Sequence, residues 1–255
     1  MRYEILGRLC VVDGETTTFL RAHKLEILLA TLIARADQVV TIEQLISETW
    51  EEQPPQRVNG ALHVYISQLR KFLDRDGRVG SPIVTRPLGY VLELGDDQVD
   101  VQDFQNLLAR GRSCAQLGNH EEAIGYFESA LALWRGPALT DVRDGPILSW
   151  YVTWLEETRL ECVELLTDSY LMLERHREVV SRLYALTAEH PLRETFYRQL
   201  MLALYRSERQ ADALKIYQSA RSRLNEELGV EPCRPLRDLQ RAILRGDDLL
   251  PSRSA

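Results

Sequence analysis

Seven apolar residues between Gln56 and Leu73 recur at three- and four-residue spacing: Val58, Leu62, Tyr65, Ile66, Leu69, Phe72 and Leu73. At about 100° per residue they gather into one stripe, so the stretch predicts a helix with a single buried face. Opposite the stripe stand Arg57, Gly60, Val64, Ser67 and Lys71, flanked by His63, Gln68 and Arg70. That face has no acidic residue. It offers a small apolar patch, a glycine that permits close approach, and side chains able to donate to base edges or phosphates. A merely solvated helix face would look the same in isolation, so the flanking sequence has to decide.

Ahead of this helix, Tyr3, Ile5, Leu9 and Val11 point one way while Arg2, Glu4 and Arg8 point the other, and Asp13-Gly14 is a hairpin turn. With the β-prone run Thr16 to Leu20 they predict a small antiparallel sheet of three or four strands. Ala22 to Ala36 puts Leu25, Leu28, Leu29, Leu32 and Ile33 on one helix face, and Val39-Val40 reads as a brief extended link. Thr41 and Gln44 form a capping box that opens a second helix over Ile42 to Thr49. Trp50, Glu51, Glu52, Gln53, Pro54 and Pro55 then make an acidic, proline-containing loop that leads into the third helix. Beyond it, Asp76-Gly77 and Gly80-Ser81-Pro82 mark turns. Ile83 to Thr85 and Tyr90 to Leu94 read as strands joined by Arg86-Pro87-Leu88-Gly89. Strands, three helices and a closing hairpin describe an α+β winged helix-turn-helix.

A net charge of −7 argues against nucleic acid until its distribution is considered. From Gln56 to Arg86 six basic residues stand against the two acids Asp74 and Asp76, so the acidity belongs to other surfaces. Cys10, Cys114, Cys162 and Cys233 are scattered without a Cys-x-x-Cys pair and read as reduced thiols, at least two of them buried. The N-terminus lacks the pattern of a signal peptide and no long apolar run occurs, so a soluble intracellular protein is expected, without membrane contact.

After the polar break Gly95-Asp96-Asp97-Gln98 almost everything reads helical. Gly118, Ala123, Phe127 and Ala130 have the spacing of small and aromatic positions in a tetratricopeptide helix pair. The frame recurs at Glu174, Val179, Leu183 and Leu186, ending at Pro191, and at Glu208, Ala213, Tyr217 and Ala220. Val179 to Ala213 spans 34 residues, one repeat, whereas Ala123 to Val179 spans 56, so an insertion over Trp134 to Trp154 is expected. Two of the three units lack the glycine. The chain thus divides into a winged domain over 1–98, an all-α tetratricopeptide-like domain over 99–248 and a tail over 249–255.

Enzyme motifs are missing. Lys24, Lys71 and Lys215 are the only lysines and none follows a glycine, which excludes a phosphate loop. His120-Glu121-Glu122-Ala123-Ile124 lacks the second histidine of a zinc helix, and His23, His63, His176 and His190 share no ligand spacing, so neither a catalytic nor a metal site is expected, and no cofactor. His190-Pro191 reads as the close of a helix pair. Trp134, Trp150 and Trp154 read as core, with the lining of a ligand pocket as the alternative, because large apolar side chains at helical spacing are core more often than not. Arg135-Gly136-Pro137 reads as a loop whose arginine caps helix carbonyls.

The pattern NGALHVYISQLRKFL followed by VTRPLGYVLEL resembles the recognition helix and wing of OmpR-type DNA-binding domains. LALWRGPAL, WLEETRLE, HPLRE, LMLALYRSERQADALKIYQ and ELGVEPCRPLRDLQRAIL are similar to the bacterial transcriptional activation domain. Together they cover nearly the whole chain and resemble the Streptomyces antibiotic regulatory proteins, in a small stand-alone form without ATPase, sensor repeats or receiver domain. The resemblance implies a cytoplasmic, nucleoid-associated activator of an antibiotic biosynthetic cluster. It would bind direct repeats of double-stranded DNA near the −35 region beside a second protomer and recruit RNA polymerase with its sigma factor. By position, Val64, Gln68 and Lys71 would face bases and backbone. Arg57, Gly60, His63, Ser67 and Arg70 would complete that surface, Thr85 and Arg86 would belong to the wing, and residues 50–55 would contact polymerase. A tetratricopeptide adaptor and a ligand-gated regulator are the alternatives.

Overall fold

The structure, a computed structural model, describes residues 1–50, 54–74, 80–140, 142 and 145–246. By packing, the chain forms two compact units: Met1–Leu107 with Ser129–Leu160, and Leu108–Glu128 with the chain from Glu161 onward.

The first unit opens with β1 (Arg2–Glu4), β2 (Cys10–Asp13) and β3 (Thr16–Thr18), paired antiparallel as expected, with Tyr3 opposite Val11 and Val12 opposite Thr17. A fourth strand, β7 (Gln98–Val99), lies parallel to β1 and makes the order β3-β2-β1-β7. The sheet is therefore mixed, not wholly antiparallel as the alternation suggests. The polar break hides this strand: the Gln98 N–H donates to the Met1 carbonyl at 3.0 Å, and the terminal amine lies 2.7 Å from the Asp97 carboxylate.

Three helices follow, α1 (His23–Ala34), α2 (Ile42–Trp50) and α3 (Val58–Phe72); α1 and α3 are shorter than their periodicity suggests, and α2 runs one residue further, through Trp50. In α1 every residue from Glu26 to Ile33 is buried, while Leu25 is only half-buried, because α2 and α3 cover one side and the wing strand β6 (Gly89–Leu92) another. A helix hemmed in all round needs no amphipathic stripe. The capping box forms: the Thr41 N–H donates to the Gln44 side-chain oxygen at 3.0 Å, and the Gln44 N–H to the Thr41 hydroxyl at 3.2 Å. The wing pairs β5 (Ile83–Arg86) with β6, and the extended link is a third strand, β4 (Val40–Thr41), on the far edge of β6. A Cβ on Gly89 would run into the Val40 carbonyl, so the wing can dock on β4 only through glycine.

Two buried carboxylates, Asp100 and Glu48, make hydrogen bonds between distant parts of this unit, Glu48 with the Ile147 and Leu148 N–H groups. Asp100 accepts the Ile5 N–H at 2.9 Å and the Leu6 N–H at 3.0 Å, and Arg135 reaches the same oxygen at 3.3 Å. Burial pushes the Asp100 pKa up, while the Ile5 and Leu6 N–H groups and Arg135 pull it down. Arg135 also pairs with Glu4 at 3.4 Å, so it binds carboxylates where helix carbonyls are expected. Trp134 is buried edge-on against Phe104, with ring centres 5.4 Å apart. Trp150 departs from the expected core: it is 62 % exposed, because the N-terminal turns of α6 (Pro146–Met172) turn that position to solvent.

In the second unit the helix ends repeat one turn. Gly118 at φ 81°, Glu174 at 60° and Glu208 at 63° are all left-handed. In each turn the next N–H reaches back five residues: Asn119 to Cys114, Arg175 to Tyr170 and Arg209 to Leu204, at 2.9, 3.0 and 2.9 Å. This is a Schellman-type close, repeated at the three positions that the spacing singles out. The residues five places on, Ala123, Val179 and Ala213, are buried at the start of α5 (His120–Ala132), α7 (His176–Glu189) and α9 (Gln210–Leu228). A glutamate held in this conformation carries a steric penalty that glycine avoids. Glu208→Gly is therefore expected to raise stability by about 1 kcal/mol, read as a gain of roughly 2–4 °C in the melting of helical circular dichroism. A lower melting temperature would mean that the exposed Glu208 side chain contributes more than its backbone conformation costs.

Candidate nucleic-acid interface

The third helix is anchored by Leu62, Ile66, Leu69 and Leu73, none more than 1 % exposed. Val58, Tyr65 and Phe72 border this core and are half-buried. Tyr65 stacks on Trp50 with ring centres 5.8 Å apart, and the Lys24 ammonium lies 4.9 Å from the Trp50 ring. Trp50 is therefore buried against α3 and offers no surface to a polymerase, contrary to its place in the expected contact loop. Pro54 and Pro55 are exposed, whereas Glu51, Glu52 and Gln53 lie outside the described residues.

The opposite side is open. Arg57, Gly60, His63, Val64, Ser67, Gln68 and Lys71 are all exposed, and Val64 keeps 54 % of its surface. A Cβ at Gly60 would meet nothing within 4 Å, so no neighbour in the protein requires glycine there. The helix carries no acid in its first turn, where the N-terminal dipole end favours anions. Asn59 is also exposed in that turn and is missing from the predicted set. Its amide type at a helix N-terminus was the available signal.

Arg70 and Thr85 are placed differently from the sequence expectation. The Arg70 Nε donates to the Ile83 carbonyl at 3.0 Å and a terminal nitrogen to the Thr85 hydroxyl at 2.7 Å, while the guanidinium lies 5.8 Å from the centre of the Tyr90 ring. They latch α3 to the wing instead of standing free toward a ligand. Arg86, which has no evident structural duty in the sequence, pairs with Glu93 at 2.6 Å; both side chains remain about half exposed. Such a surface pair is worth at most about 1 kcal/mol and opens easily when another anion approaches. Among the described residues no group of His, Cys, Asp or Glu could hold a metal ion, and no helix is long and apolar enough to cross a membrane.

A three-helix unit with a wing, an acid-free exposed face on its third helix and a following all-helical domain defines a winged-helix transcriptional regulator. The family model for "Transcriptional regulatory protein, C terminal" matches residues 20–92, and that for "Bacterial transcriptional activator domain" matches residues 99–244. The chain belongs to the Streptomyces antibiotic regulatory protein family. It is 36 % identical over 253 residues to regulatory protein DnrI of Streptomyces peucetius, covering 97 % of this chain and 93 % of that one. Against regulatory protein AfsR of Streptomyces griseus it is 37 % identical over 250 residues, which is 98 % of this chain but only 25 % of the relative. The solved structure of Mycobacterium tuberculosis EmbR in complex with a low-affinity phosphopeptide superposes with a TM-score of 0.90 at 33 % identity, covering 97 % of this chain and 66 % of that one.

Proposed function

We propose that this regulator activates a secondary-metabolite gene cluster, with residues 1–98 reading DNA and residues 99–248 making activating contacts. The observation that carries the reading is the exposed, acid-free face of α3, hydrogen-bonded through Arg70 to a wing that presents Arg86. In this reading Val64, Ser67, Gln68 and His63 address base edges, and Arg57, Lys71 and Arg86 address phosphates or the minor groove. The face holds few strong base readers, so affinity per protomer is modest and specificity comes from two protomers on direct repeats near the −35 region. The loop around Glu51, Glu52 and Pro54 then meets RNA polymerase and its sigma factor, and the protein works on the nucleoid in the cytoplasm.

Sequencing the DNA that the protein holds across a genome tests this reading. The expected result is enrichment at few promoters, each with tandem copies of one motif in the same orientation. Enrichment of inverted copies, or none above background, would overturn it.

A further inference from the structure

Beside α2 and the start of α6, within the first unit, lies a cavity of about 640 Å³, within the size range of small-molecule sites. One wall of it is Trp150, a residue 62 % exposed. An indole left open on the rim of a cavity is a stacking surface for a flat apolar body.

The polar side of the cavity is formed by Arg35, Gln44, Ser47 and Glu48. Glu48 is 1 % exposed and both its oxygens are engaged: the Ile147 N–H donates at 2.6 Å and the Leu148 N–H at 3.2 Å. Its carboxylate thus caps the N-terminus of α6, where the helix dipole also offsets its charge. Burial raises the pKa of Glu48, while those N–H groups and Arg35 lower it. Arg35, by contrast, is exposed, and its charge acts on Glu48 without a hydrogen bond between them. The Gln44 oxygen is taken by the Thr41 N–H, leaving its amide NH₂ as a donor. Around the cavity, an exposed guanidinium that also attracts the Glu48 carboxylate and two neutral polar side chains therefore stand beside an exposed aromatic side chain.

We infer that this cavity binds a small planar aromatic anion, an aryl carboxylate or its like, stacked on Trp150 with its charge on Arg35. Guanidinium and carboxylate match in planar geometry and pair in a bidentate fashion. Gln44 and Ser47 orient a further polar substituent. The site is separate from the exposed face of α3 and does not depend on DNA.

The test is calorimetric titration of the full chain with 2-naphthoate, and with neutral 2-naphthylmethanol for comparison. Saturable one-to-one binding of 2-naphthoate is expected, with the alcohol at least about tenfold weaker. Trp150→Ala and Arg35→Ala should each weaken 2-naphthoate at least about tenfold, Trp150→Phe should retain most of it, and Arg35→Lys, which keeps the charge but loses the bidentate fork, should fall between Arg35→Ala and the parent. Both positions are exposed, so the variants should keep the circular dichroism of the parent, and Tyr184→Ala in the other unit should bind as the parent does. No saturable heat at millimolar probe, or equal binding by all variants, would overturn the assignment.

Discussion

Asp100→Ala is expected to destabilise the first unit by about 3 kcal/mol, because it strands the Ile5 and Leu6 N–H groups and leaves Arg135 facing no acceptor at that oxygen. Asp100→Asn keeps one acceptor oxygen, so its effect should be about half as large. The measurement is convenient, since all four tryptophans, Trp50, Trp134, Trp150 and Trp154, lie in this unit. Urea unfolding followed by tryptophan emission should show a lower midpoint with an unchanged slope. A change under about 0.5 kcal/mol would mean that water satisfies those amides as well as the carboxylate does.

The second large effect concerns DNA. Lys71→Ala should weaken binding about tenfold near physiological salt and reduce the salt slope by about one, the signature of one lost phosphate contact. Lys71→Glu should weaken it further, because an anion would then face the phosphates from the last turn of α3. Lys71 is exposed on α3, away from the buried stripe, so neither change should alter the fold. Arg86→Ala should behave like Lys71→Ala, less the small cost of parting Arg86 from Glu93. Unchanged mobility-shift affinity for the Lys71 variants would move the DNA contact to another surface.

Much of the first unit was legible because its signals are local. The capping box, the stripe of α3 and the wing turn each lie within a few neighbouring residues, and each formed where the spacing put it. The same holds for the helix pairs of the second unit, where Glu174 and Glu208 adopt the glycine's conformation without being glycine. Spacing carried the repeat even where residue type did not. What escaped were the long-range pairings. The parallel β7 is two residues long, and its partner β1 is at the other end of the unit. Arg70 is a basic residue beside an exposed face, and only its approach to Ile83 and Thr85 shows that it faces the wing. Trp50 and Trp150 carry the same composition signal and end oppositely, one stacked on Tyr65 and one bare at a cavity rim. No periodicity distinguishes them, since burial there is decided by which distant helix happens to pass.

The Arg70 latch has a consequence for how such a protein measures DNA. Two hydrogen bonds from one guanidinium to β5 tie α3 to the wing, which sets the distance between them. On the proposed contacts, the number of base pairs between the groove read by the helix and the groove met by the wing is then a constant of the protomer. On the proposed tandem sites the gap between two copies can drift, while within each copy the phase of the double helix is set by the protein.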